Sequence, residues 1–138
     1  MGRGAVAADF DRDGDVDISV SRTNQPMLVL SNETTSGANW LTVRLIGVKS
    51  PREPIGAMAK LTTRSGTQIR MMKSGGSYAS SSSDRIFFGT GEDSDALSLE
   101  ISWPSGETQT IVQPHLNQQL QIVESVDQRP SAVIEAGL

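Results

Sequence analysis

Hydrophobic and polar residues alternate along most of this chain, and that period of two predicts strands. Residues 40–46, Trp40-Leu41-Thr42-Val43-Arg44-Leu45-Ile46, put Leu41, Val43 and Leu45 on one face. Residues 55–63 place Ala57, Ala59 and Leu61 on one side. Ser65-Gly66 then turns the chain into 67–72, a hairpin in which Ile69 and Met71 are expected to point inward. The strictest alternation, 97–103, is expected to bury Leu97, Leu99, Ile101 and Trp103. Shorter apolar runs at 5–8, 17–21, 27–30, 85–88, 108–112 and 120–123 add further strands. No segment sustains a helical period of 3.6. The expected fold is therefore all-β: an antiparallel β-sandwich or partly closed barrel, preceded by a short N-terminal β-meander.

One stretch breaks the pattern with charge. Asp9-Phe10-Asp11-Arg12-Asp13-Gly14-Asp15-Val16-Asp17 carries a carboxylate at every second position. Five like charges this close repel one another unless solvent or a cation screens them, and a divalent metal screens them best. A calcium loop supplies side chains at relative positions 1, 3, 5 and 9 and a main-chain carbonyl at 7. Those positions are Asp9, Asp11, Asp13 and Asp17, with the carbonyl from Asp15, and Gly14 falls at position 6, where the loop must turn sharply. Position 12 is Val20 rather than the Glu an EF-hand needs, and the residues leaving the loop alternate as a strand does. A strand-flanked Ca2+ site is expected, with a solvated acidic turn as the plain alternative. The chain has no Cys and its only His is remote, which disfavours zinc.

Composition narrows the function. An apolar share of 36% with 13 glycines in 138 residues is enough for a globular core. Taking the five loop aspartates out of the net charge of −4 leaves +1, so the acidity is concentrated in one place. No basic stripe is interleaved with aromatics, which disfavours nucleic acid. No apolar run is long enough to span a membrane.

The N-terminal segment, through Gly4-Ala5-Val6-Ala7-Ala8-Asp9-Phe10-Asp11 and Asp13-Gly14-Asp15-Val16-Asp17, resembles an FG-GAP or VCBS repeat, the unit of integrin-type β-propellers. That resemblance implies calcium on the matching aspartates and a single blade-like repeat over 1–38. From residue 39 the order of elements resembles the ASPIC/UnbV domain. The matching stretches are Asn39-Trp40-Leu41-Thr42-Val43-Arg44-Leu45, Ile55-Gly56-Ala57, Ser74-Gly75-Gly76-Ser77-Tyr78, Phe88-Gly89-Thr90-Gly91 and Trp103-Pro104-Ser105-Gly106. This places the β domain at 39–124 and leaves 125–138 as a linker or tail. The resemblance implies an exported protein, secreted or extracellular, whose targeting segment is absent from this fragment, and it implies no common catalytic residues.

Catalysis is not expected from the residues either. His115 sits in a polar loop with no nucleophile motif beside it. Asp93 and Asp95 follow Gly91-Glu92 and read as turn residues. The serines at 80–83 read as a solvated loop, and of Trp40, Tyr78 and Trp103, Tyr78 is the better candidate for an exposed contact. The expected function is a non-catalytic calcium-binding adhesion or recognition module of an exported multi-domain protein, with a protein or glycan as ligand. The alternatives are a carbohydrate-binding module or the accessory domain of a secreted enzyme. Exposed strand edges also invite pairing with a second copy.

Overall fold

A computed structural model describes residues 2–11, 13–34, 37–75, 84–125 and 133–135. They form two compact units: Met1–Ser36 with Lys73–Ser83, and Gly37–Met72 with Asp84–Leu138. The fold is all-β, as expected. Among the described residues there is no helix, and so none long and apolar enough to cross a membrane.

The first unit is a meander of β1 (Gly2–Ala8), β2 (Asp17–Arg22) and β3 (Gln25–Leu30), paired antiparallel in that order. Asn24 has φ of 56°, which lets a two-residue turn join Arg22 to its partner Gln25. The burial pattern opposes what hydropathy alone would set. Asp17 and Ser19 are buried on β2, whereas Ile18 and Met27, Leu28, Val29 and Leu30 are exposed.

The second unit is a two-layer sandwich. It contains β4 (Asn39–Ile46), β5 (Met58–Thr63), β6 (Thr67–Met71), β7 (Arg85–Gly91), β8 (Ala96–Ser102), β9 (Thr108–Val112), β10 (Gln118–Val123) and β11 (Val133–Glu135). One sheet has the order β11-β10-β4-β7, the other β6-β5-β8-β9. A single core joins them: Leu41, Val43, Leu45, Phe88 and Ile122 from the first sheet meet Ala59, Leu61, Leu99 and Ile101 from the second. Side chains also stitch the open sides. Gln68 Nε2 donates to the Gly89 carbonyl at 2.7 Å, and Gln109 Nε2 donates to the Val123 carbonyl at 3.3 Å. These contacts narrow the gaps without closing a barrel.

Four details differ from the sequence reading. β4 and β10 pair parallel, so the sandwich is not purely antiparallel. Ile69 and Met71 point outward, because the register sets Met71 opposite Met58 on the outer face, and Met72 is buried instead. Leu97 is also exposed: Thr62 pairs with Ser98 but Thr63 pairs with Ala96, so Leu97 is the extra residue of a bulge and Ala96 takes its place inside. Finally, Val133–Glu135, within the stretch read as linker or tail, pair with β10. The rest of 126–138 lies outside the described residues, as do Tyr78 and Ser80 to Ser83.

Candidate metal centre

The acidic loop spans residues 9–16 between β1 and β2, which pair right up to its mouth at Ala8 and Asp17. Two aspartates coil it. Asp11 Oδ1 accepts from the Asp13 amide at 3.3 Å, and Asp13 Oδ1 accepts from the Asp15 amide at 2.9 Å. Gly14, with φ of 96°, makes the sharp turn the spacing required.

The turn brings Asp9, Asp11 and Asp17 together. One carboxylate oxygen from each lies within 4.8 Å of the others, with Asp9 and Asp17 buried and Asp11 exposed. Asp17 is the most constrained of them. Its Oδ2 accepts from the Phe10 amide at 2.9 Å and its Oδ1 from the Asn32 amide at 2.8 Å. The Asn32 and then the Phe10 hydrogen bond hold its pKa below the ordinary value, against the opposing effect of burial. Asp17 is thus ionised and ties both ends of the meander to the loop. Asp13 and Asp15 stand outside the group of three and take part in the turn hydrogen bonds.

Three carboxylates gathered this closely, two of them shielded from water, are mutually repulsive and can bind a metal. An all-oxygen donor set suits a hard cation such as calcium or magnesium.

The other candidate residues lie outside this group. His115 is exposed, and its carbonyl accepts from Gln118 Nε2. Asp93 accepts from the Ser65 hydroxyl and, at 3.2 Å, from the Ser65 amide, so it fastens two turns together. The hydroxyls of Ser65 and Thr63 lower its pKa. Asp95 accepts from Ser94 Oγ at 3.2 Å. Trp103 is core, with its Nε1 donating to Gln109 Oε1 at 3.1 Å, and Trp40 is half-buried.

Sequence reasoning missed Glu124, which is only 2% exposed. Its Oε2 accepts from the amides of Val48 and Ser50, both at 2.7 Å. Its Oε1 accepts from Ser50 Oγ at 2.9 Å and Ser105 Oγ at 2.5 Å. Burial pushes its pKa up, but the hydrogen bonds from Ser105, Ser50 and Val48 outweigh it and hold the carboxyl at about 2. A single Glu after the apolar Ile122-Val123 gave no pattern that marks it as buried.

With this fold and site in view, the comparisons with known proteins fix the class. The family model described as "ASPIC and UnbV" matches residues 47–129, and the chain belongs to that family. The matched region starts just after β4, so that central strand precedes it.

Among relatives, cartilage acidic protein 1 of Mus musculus is 30% identical over 150 residues, covering 99% of this chain and 22% of the relative. The Xenopus tropicalis protein of the same name is 32% identical over 132 residues, covering 88% and 19%. The Homo sapiens protein is 30% identical over 138 residues, covering 92% and 20%. The chain therefore spans about a fifth of the length of these relatives.

Proposed function

We propose that the chain is a non-catalytic, calcium-stabilised recognition module of an exported multi-domain protein, and that residues 1–38 are an FG-GAP/VCBS-type repeat. The carrying observation is the convergence of Asp9, Asp11 and Asp17 at the mouth of a β-hairpin. A divalent ion there neutralises charges that oppose folding and joins the strand that enters the loop to the one that leaves it. Asp13 and the Asp15 carbonyl complete the proposed ligand set when the metal draws the loop in.

Calcium sites of extracellular modules bind in the range of roughly 10⁻⁴ to 10⁻³ M, so such a site is filled only where calcium is millimolar. A site in that range fits the proposed secreted or extracellular setting, where calcium is millimolar. The absence of catalysis is consistent with an exposed His115 and with Asp93 being engaged by Ser65.

The test is thermal unfolding of the whole chain in millimolar calcium and in calcium-depleted buffer. Bound metal stabilises by RT ln(1 + [L]/Kd), about 1 to 3 kcal/mol at ten to a hundred times Kd. An unchanged Tm removes the calcium reading.

A further inference from the structure

A cavity of about 240 Å³ lies wholly within the second unit, where the pairing of β7 with β4 stops at Arg85 and Arg44. Leu45, Ile46 and Met72 form its apolar wall, and Arg44, Arg52, Gln121, Glu53 and Asp84 supply its polar groups. Its volume is below the usual range of drug-sized pockets and suits a single small residue.

The polar wall has donors to spare. Arg44 gives only its Nε, at 2.9 Å, to Asp84 Oδ2, which leaves both its Nη groups unspent among the described residues. The Arg52 guanidinium and the Gln121 amide have no side-chain partner among them either. Gln121 stands directly beside Arg44 in the parallel pairing, and Arg85 stands on the other side. The lining itself carries two guanidiniums and two carboxylates, so its formal charges balance, and Arg85 spends one Nη on Gln119 Oε1 at 2.9 Å.

Arg52 is held here by the fold. The Gly47 amide donates to the Arg52 carbonyl at 3.1 Å. The loop folds so tightly that a Cβ on Gly47 would meet the Pro51 carbonyl oxygen at 2.1 Å. Buried Glu124 pins the same loop through Val48 and Ser50. A fixed loop that carries an unpaired arginine to the rim of a cavity loses little freedom on binding an anion.

The unspent forked N–H groups of Arg44 and Arg52 suit a carboxylate, which guanidinium binds in bidentate fashion. Glu53 and the second oxygen of Asp84 can accept hydrogen bonds from hydroxyls, which a bare inorganic anion lacks. The apolar wall suits the C–H face of a ring. We propose that this cavity binds a uronic-acid residue, with its carboxylate between Arg44 and Arg52, its hydroxyls on Glu53 and Asp84, and the Gln121 amide donating to a ring substituent. Because the cavity shares no residue with the acidic loop, this proposal does not depend on calcium.

The test is a titration of the whole chain with glucuronate, followed by NMR of the arginine Nε–H and glutamine side-chain signals. It is run in millimolar calcium and again in metal-depleted buffer. Saturable shifts at Arg44 and Gln121 are expected in both buffers, with a Kd on the order of millimolar. Arg52→Gln should weaken binding about tenfold without moving Tm, and Asp93→Asn should leave it unchanged. The absence of shifts at about 50 mM glucuronate would overturn the proposal. So would equal shifts with glucose, which shares the hydroxyls but not the charge, or tighter binding of glutamate, which would make the site one for an amino acid.

Discussion

Ser50 and Glu124 stand 74 positions apart and share two hydrogen bonds, from the Ser50 amide at 2.7 Å and from its hydroxyl at 2.9 Å. The pair ties the loop after β4 to the end of β10, and Ser105 brings in the turn before β9.

Acid should release this contact in a defined window. Because the folded pKa of Glu124 is depressed from 4.5 to about 2, its contribution is fully present above pH 4.5 and is lost as pH falls toward 2. The loss is on the order of 2 to 3 kcal/mol. Glu124→Gln, which also sets an amide NH2 against amide and hydroxyl donors, should destabilise at pH 7 and flatten the pH dependence across that window. Urea unfolding at several pH values reads both effects; an identical slope in the variant would contradict the assignment.

The three clustered aspartates should separate by role. Asp11, exposed, serves the proposed metal, so Asp11→Ala should abolish the calcium-dependent shift in Tm and change little in calcium-depleted buffer. Asp17 also holds the Phe10 and Asn32 amides, so Asp17→Ala should lower Tm even without calcium. Equal behaviour of the two variants in depleted buffer would show that the amide contacts carry no weight.

Thr42 is 1% exposed and its Oγ1 has no hydrogen-bond partner among the described residues. A buried hydroxyl without a partner is destabilising, so Thr42→Val, of nearly equal volume, should be neutral or stabilise by up to about 1 kcal/mol. A loss of more than about 1 kcal/mol in chemical denaturation would mean that the hydroxyl is satisfied.

Gly47→Ala should act in the opposite direction. The new Cβ would meet the Ser50 carbonyl oxygen at 2.7 Å and the Pro51 oxygen closer still, and both are backbone. The loop would have to shift, at about 1 to 3 kcal/mol. An unmoved denaturation midpoint would rule out the tight closure of this loop.

Much of the sandwich was legible because period two is local. Leu41, Val43, Leu45, Leu99 and Ile101 alternate in sequence and are buried in the structure. Alternation misleads where another strand decides. Leu97 continues the alternation perfectly, yet a bulge opposite Thr62 and Thr63 turns it outward. Ile69 and Met71 alternate too, but an alternating hairpin strand has two faces, and only its register against β5 selects which one is buried. The acidic loop was legible because its ligand spacing and glycine are contiguous.

The amino-acid sequence alone determined the all-β class, the positions of β1 to β10, the sharp turn at Gly14 and the concentration of charge between Asp9 and Asp17, because each follows from neighbours a few residues apart. Only the tertiary structure decided that β10 lies parallel to β4, that Glu124 is buried, and that Arg44, Arg52 and Gln121 share one cavity. Those relationships join residues far apart in the chain, and no local periodicity encodes which distant hydrogen-bonding groups will meet.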